Sequence, residues 1–373
     1  MEGKSVDQGS GAAPETNPDL ATERDGATVT VWLGRTRALN ALTIAMRDEF
    51  AAVIPRLARD PNIYALLIRS RSPKAFSAGG DVRELIALHR QDPAAARAAF
   101  AREYALNWTL ECFSKPTISF IDGLVMGSGV GISLYNTHRV AGPGYRFGMP
   151  ETAIGLFPDV GVAHALSRLP GEVGTYLGLT GRTIGRADAY RLGLATHCIS
   201  SEHFDEIAAA LADAQPVDPL LDDRHVDPGP GELVAVASVI AHCFAGDSVE
   251  AILARLEAVT GPDQGFAAAV LADLGKRSPM SLKVTLRHLR HAARMDLREV
   301  LTADQRLACR CLEGHDFAEG VRAALVDKDN LPVWRPATLA DATASMIEAY
   351  FAPLPDVDEL VLPTRAEMQA ARV

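Results

Sequence analysis

Two small-residue turns and a pair of carboxylates carry the residue types and spacing in this chain that could do chemistry. Met126-Gly127-Ser128-Gly129-Val130-Gly131 reads as a glycine-rich turn opening a helix, which offers backbone N–H groups to a developing negative charge. Phe76-Ser77-Ala78-Gly79-Gly80-Asp81 has the same character: its small residues let the backbone approach a ligand, and Asp81 can cap the helix that follows. Each turn by itself also reads as plain strand-to-helix punctuation. Together they could aim two N–H groups at one carbonyl oxygen, the arrangement of an oxyanion hole. Downstream, Glu151 and Asp159 sit in the mostly apolar stretch Met149 to Gly161. Gly155 and Pro158 lie between them, so they meet through a folded loop and not along one helix face. Paired carboxylates in a semi-apolar pocket can keep one acid near neutrality and the other ionised, which suits acyl chemistry. Read singly, Glu151 is also a solvated strand-end acid, and Asp159 a helix cap.

The elements that must position these residues alternate. A strand over 27–33 leads through a loop into a helical pattern at Leu42, Met46, Phe50, Val53 and Leu57. A second unit runs from a strand at 63–68 through the Phe76 to Asp81 turn into helices over 82–112. A third runs from a strand at 117–121 through the Gly127 turn to a short helix ending near Tyr135. Functional loops gather at strand ends in such units, so both turns can face one ligand. Short strands at 139–141 and 145–149 lead into the Glu151 loop, helical patterns follow at 161–168, 171–179 and 186–193, and an extended segment at 196–199 ends the core.

Residues 1–24 are polar and aperiodic and read as a flexible tail. The core spans 25–213. Four prolines in 214–231 mark a loop or linker, and 232–373 reads as an α-helical C-terminal region. Hydrophobic residues at 48% and charged residues at 23% place the 373-residue chain among globular proteins, and a net charge of −10 argues against a general nucleic-acid binder. Five cysteines without a CxxC pair suit a reducing, cytoplasmic setting. No apolar run is long enough for a membrane span, and the first residues lack the basic-then-apolar order of a signal peptide. There is no P-loop, no HExxH or other metal-ligand spacing, and no GxSxG elbow, so neither a nucleotide, a metal nor a serine nucleophile is expected.

The Lys74 to Asp81 turn, Met126-Gly127-Ser128-Gly129 and Met149-Pro150-Glu151 resemble the crotonase (enoyl-CoA hydratase/isomerase) superfamily, and within it the 3-hydroxyisobutyryl-CoA hydrolases. Arg35 to Thr43, Ser278 to Lys283 and Gly314 to Arg322 extend the resemblance across residues 25–345. It implies an α/β fold, a crotonase-like ββα spiral core with an α-helical C-terminal region. It also implies thioester hydrolysis of a short 3-hydroxyacyl-CoA, as in valine catabolism, with CoA as part of the substrate and no separate cofactor. Gly80 and Ser128 would give the oxyanion N–H groups, with Ser128 standing where the family usually places glycine. Glu151 and Asp159 would be catalytic and contact substrate, and Glu103 would border the acyl pocket within reach of a substrate hydroxyl. Arg37, Ala38 and Ala78 would pass the CoA moiety. Gly131 stands where a two-glutamate hydratase carries its other acid, which favours hydrolysis over hydration or isomerisation; a non-catalytic acyl-CoA-binding module is the remaining alternative. Relatives commonly assemble, so a homo-oligomer is a further expectation of the resemblance.

Overall fold

Thr28-Val29-Thr30-Val31-Trp32-Leu33 is a run of β-branched and apolar residues, buried everywhere except at Trp32, as a strand covered on both faces requires. In the computed structural model, which describes residues 18–355 and 357–372, it is β2 (Thr28–Leu33) and pairs antiparallel with β1 (Leu20–Asp25). Each following turn of the chain then gives one strand to a six-stranded sheet and a shorter one to a four-stranded sheet. These pairs are β3 (Ala65–Ser70) with β4 (Ala75–Ser77), β5 (Thr117–Ile121) with β6 (Leu124–Met126), and β7 (His138–Ala141) with β8 (Arg146–Gly148). The two-residue strands β9 (Ile184–Gly185) and β10 (His197–Cys198) complete them, giving the orders β1-β2-β3-β5-β7-β10 and β4-β6-β8-β9. From β2 to β10 the larger sheet is parallel.

Helices cover the turns of this spiral. α1 (Ile44–Arg59) follows β2 and is capped by the Thr43 hydroxyl, which accepts from the Met46 N–H. α2 (Val82–Gln91) and α3 (Pro93–Cys112) follow β4, with Asp81 and Asp92 as their side-chain caps. α4 (Ser128–Gly131) follows β6, and α5 (Val162–Leu166), α6 (Val173–Thr180), α7 (Arg186–Arg191), α8 (Phe204–Ala212) and α9 (Val217–Asp222) end the first half. The second half is α10 (Ala237–Phe244), α11 (Val249–Glu257), α12 (Gln264–Leu274), α13 (Pro279–Ala292), α14 (Leu297–Glu313), α15 (His315–Val321), α16 (Ala344–Phe351) and α17 (Arg365–Ala370). A capping box at Asp296 and Glu299 fixes the start of α14.

Two expectations of the sequence are corrected. The flexible tail placed at 1–24 includes β1, because an edge strand needs its ladder bonds and one buried anchor, Leu20, and not a full apolar face. Residues 1–17 lie outside the described residues. The stretch 214–231 is not a plain loop or linker, since α9 lies in it and buries Val217, Leu220 and Leu221 against Leu67, Ile118, Phe120 and Val140 of the large sheet. The helical C-terminal region packs onto the core. One hydrophobic cluster runs from Val31 and Phe76 through Phe157 and Val160 to Leu301 and Phe317, and residues 327–343 within that region form no helix. Phe317→Ala, which empties a fully buried site at this junction, is expected to cost about 3–5 kcal/mol, moving a single urea transition to lower denaturant without splitting it.

Candidate active site

β4 and β6 run parallel and adjacent, so the turns that leave their C-terminal ends lie side by side. Gly127 has φ +45°, and a Cβ there would lie 3.3 Å from Gly79 Cα and 3.1 Å from Glu151 Oε1. The glycine lets the two turns and the glutamate crowd one point. Among the described residues, neither the Gly80 N–H nor the Ser128 N–H donates to a backbone or side-chain acceptor of the protein. Both residues line a cavity of about 290 Å³, together with Ala78, Glu103, Glu151 and Asp159. Two unused backbone donors on residues that line one apolar-walled cavity are the parts an oxyanion site requires. The Ser128 Oγ lies 2.8 Å from the point a Cβ on Gly80 would occupy, so the hydroxyl fits only because residue 80 is glycine.

Glu151 opens a 3₁₀ turn over Glu151–Ile154 that is pinned by its neighbour: Thr152 Oγ1 donates to Leu179 O at 3.0 Å and Thr152 O accepts from the Ser278 N–H. The Glu151 side chain is 6% exposed and its Oε2 has no partner. Burial, and then the charge of Asp159, push its pKa well above the ordinary glutamate value. Asp159 is 5% exposed and accepts a hydrogen bond from the Tyr104 hydroxyl at 2.8 Å. Burial and the nearby Asp304 raise it to about 7, against the pull of that hydrogen bond and of Arg47. The reading of Asp159 as a side-chain helix cap does not hold: the cap of α5 is Gly161, and the Asp159 carboxylate turns inward. Between them Val160 sits at φ +55°, a strained position for a β-branched residue.

That loop is held from below. Asp304 of α14 accepts from the Gly161 N–H at 2.7 Å, and its other oxygen lies 2.7 Å from His288 Nε2 of α13. Neither Asp304 nor His288 carried a site signal in the sequence, because their relation to Asp159 exists only after the C-terminal helices dock. Arg47 was also invisible. It lies on the buried side of α1 and pairs with Glu103 of α3, across the gap between two helices.

Gly131, at the end of α4, is enclosed. A Cβ there would come within 2.8 Å of both Asn107 Nδ2 and Val160 Cβ, so the place where a second acid would emerge is filled. Arg37 and Ala38 do not reach the cavity. The Arg37 side chain is 70% exposed and forks onto both oxygens of Asp19 at 2.8 and 2.7 Å, while Ala38 sits in a surface 3₁₀ turn. Ala78 does line the cavity, with its N–H bound to Leu39 O. The basic residues of α13 stand away from it, Lys283 paired with Glu250, Arg287 with Glu348 and Arg290 with Glu172.

Comparison with known proteins bears on this geometry. Residues 28–351 match the enoyl-CoA hydratase/isomerase family. The chain is 38% identical to the mitochondrial 3-hydroxyisobutyryl-CoA hydrolase of Rattus norvegicus over 89% of its length and 88% of that protein. It is 37% identical to the Homo sapiens protein of the same name, over 91% and 90%. Among solved structures, it resembles a carnitinyl-CoA dehydratase from Mycobacterium thermoresistibile at 37% identity and TM-score 0.86, covering 92% of this chain and 99% of that one. An enoyl-CoA hydratase from Rhodobacter sphaeroides superposes with TM-score 0.85 at 34% identity, over 92% and 100%.

The raised acids make a stability prediction. A carboxyl whose folded pKa lies above its unfolded value contributes stability that is complete below the ordinary carboxylate range and is lost as pH rises through the folded pKa. Glu151→Gln removes one such group. Its stability relative to wild type is expected to improve from pH 5 to pH 8, by about 1.4 kcal/mol for each pKa unit of the raised acid titrated in that window. Urea denaturation at both pH values measures it, and a variant whose relative stability is flat or falls with pH would contradict a raised Glu151.

Proposed function

The chain belongs to the enoyl-CoA hydratase/isomerase family, and we propose that within it this protein is a thioester hydrolase that converts 3-hydroxyisobutyryl-CoA, or a similar short 3-hydroxyacyl-CoA, to the free hydroxy acid and CoA. The observation that carries the choice of reaction is the filled space at Gly131. Adding water across a double bond takes two placed acid/base groups, and this site has no room for the one at position 131. Hydrolysis needs one carboxylate acting on a polarised carbonyl, which Glu151 and the two free N–H groups provide.

In this mechanism the Gly80 and Ser128 N–H groups hold the thioester oxygen as negative charge gathers on it. The ionised Glu151 either takes a proton from water as it attacks the carbonyl carbon, or attacks that carbon itself and forms a mixed anhydride that water then opens. In the first route the proton that Glu151 took passes to the sulfur as the C–S bond breaks; in the second CoA leaves as the thiolate and is protonated from the water that opens the anhydride, so that either way CoA and the acid are released. Asp159, held by Tyr104, raises the basicity of Glu151 through its charge and orients water or the substrate hydroxyl. Glu103 borders the acyl group, and Ala78 stands on the CoA side. The reaction requires no cofactor beyond the CoA of its substrate, and the substrate class fits a step in valine breakdown. Five free, buried cysteines support a reducing compartment such as the cytoplasm, although the animal relatives are named as mitochondrial. No helix among the described residues is long and apolar enough to cross a membrane.

A second reading, hydration, is favoured by the names of the two solved relatives. The two are separated by scoring 3-hydroxyisobutyryl-CoA for thiol release and crotonyl-CoA for loss of its double bond. Thiol release with no hydration is expected. Hydration of crotonyl-CoA without thiol release would replace this proposal, and turnover of neither would favour a binding module. Glu151→Gln is expected to lower kcat about 10²–10⁴-fold. Because the working form of Glu151 is ionised and its pKa is raised, kcat/KM of the wild type is expected to keep climbing with pH above the ordinary glutamate range.

A further inference from the structure

Arg47 has no role in the steps above, yet it is a cation buried in the wall of the acyl cavity. Its side chain is 7% exposed, and among the described residues its guanidinium gives one hydrogen bond, from Nη1 to Oε2 of Glu103. A guanidinium carries five N–H donors, so most of this one's capacity is unspent. Glu103 is 3% exposed, and its Oε1 has no partner at all. Both side chains line the cavity, and a Cβ on Gly80 would lie 3.8 Å from Arg47 Nη1, which places the pair beside the oxyanion donors.

A buried ion pair is costly unless its remaining donors and acceptors are satisfied. Here the partners of one ion pair keep unspent guanidinium N–H groups on one side and a buried, unpartnered carboxylate oxygen on the other. The group that meets both is one that donates and accepts through a single oxygen: a hydroxyl, or a water that a substrate hydroxyl displaces. An alkyl branch would strand both partners, and a second carboxylate would face the charge of Glu103. We propose that Arg47 is a specificity-determining residue, forming with Glu103 a two-point clamp for the hydroxyl of the acyl group: an Arg47 N–H donates to the hydroxyl oxygen while Glu103 Oε1 accepts its proton. The clamp rests on the acyl-CoA reading above for its occupant. It adds the donor half of the recognition, which Glu103 alone lacks, and it selects 3-hydroxyacyl groups over the same carbon skeleton without the hydroxyl.

The test reads binding and turnover separately. Calorimetric titration of the full chain with non-hydrolysable thioether analogues of 3-hydroxyisobutyryl-CoA and isobutyryl-CoA gives the hydroxyl preference in Kd, and the two thioesters give it in kcat/KM. Wild type is expected to prefer the hydroxylated ligand by about 10²-fold or more, since a site built to hydrogen-bond a hydroxyl strongly rejects the analogue that lacks it. Arg47→Met should reduce that ratio to below about 10, and Arg47→Lys should keep part of it. Because removing one charge strands the other, Arg47→Met/Glu103→Met, which replaces the pair by apolar side chains, provides a variant expected to fold and to lose the preference as well. A wild type without the preference in calorimetry overturns the clamp. So does a variant that weakens both ligands equally, as an ion pair of purely structural role would, or a double variant that retains the preference. A preference in binding with no thiol released from either thioester would leave the clamp standing and sink the hydrolase reading.

Discussion

Burial strips a carboxylate of its hydration, and the fold around Glu151 and Asp159 is arranged so that two of them stay dry within one cavity. That constraint explains the neighbours. Tyr104 gives Asp159 one hydrogen bond, Arg47 supplies a distant positive charge, and Asp304 withholds further relief by adding a negative one. The result is an acid pair with raised proton affinity, which makes a strong base out of a residue that would be a weak one in water.

Keeping those acids dry requires a roof as well as walls, and the roof comes from the second half of the chain. Leu297 and Leu301 lie against Gly161, whose N–H is tied to Asp304, while Ala324 and Leu325 close one side of the cavity. The spiral core therefore does not contain its own site. It contributes two turns and two acids, and the C-terminal helices decide how far from water these stand. The strain at Val160 is borne at this junction, next to Asp159.

Much of this was legible in the sequence. The alternation of β-branched strands with helical repeats gave the βα units, the family resemblance implied the spiral, and β5 falls at Thr117–Ile121 as the apolar run predicts. Gly80, Ser128, Glu103, Glu151 and Asp159 converge on one cavity as the motifs implied. What failed did so for identifiable reasons. β1 is polar because an edge strand is specified by its partner's backbone, so no periodicity announced it. Prolines at 216 and 219 suggested a linker, although Pro219 sits in the first turn of α9, where its missing N–H costs nothing. Arg37, expected to pass the CoA moiety, is paired on the surface with Asp19, near the end of the supposed tail, a contact that the sequence did not announce.

The sequence by itself determined the local chemistry: where backbone N–H groups are left free, which residues are acids, and that position 131 has no side chain. These are properties of residue type and of turns a few residues long. Only the tertiary structure decided what those groups are worth. The proton affinity of Glu151, the turning of Asp159 away from a capping role, the Arg47 pair with Glu103 and the filling of the space at Gly131 all depend on atoms far apart in the chain. Electrostatics and exclusion of volume act through space, and the distances that set them exist only once α1, α3 and α14 are packed around the same loop.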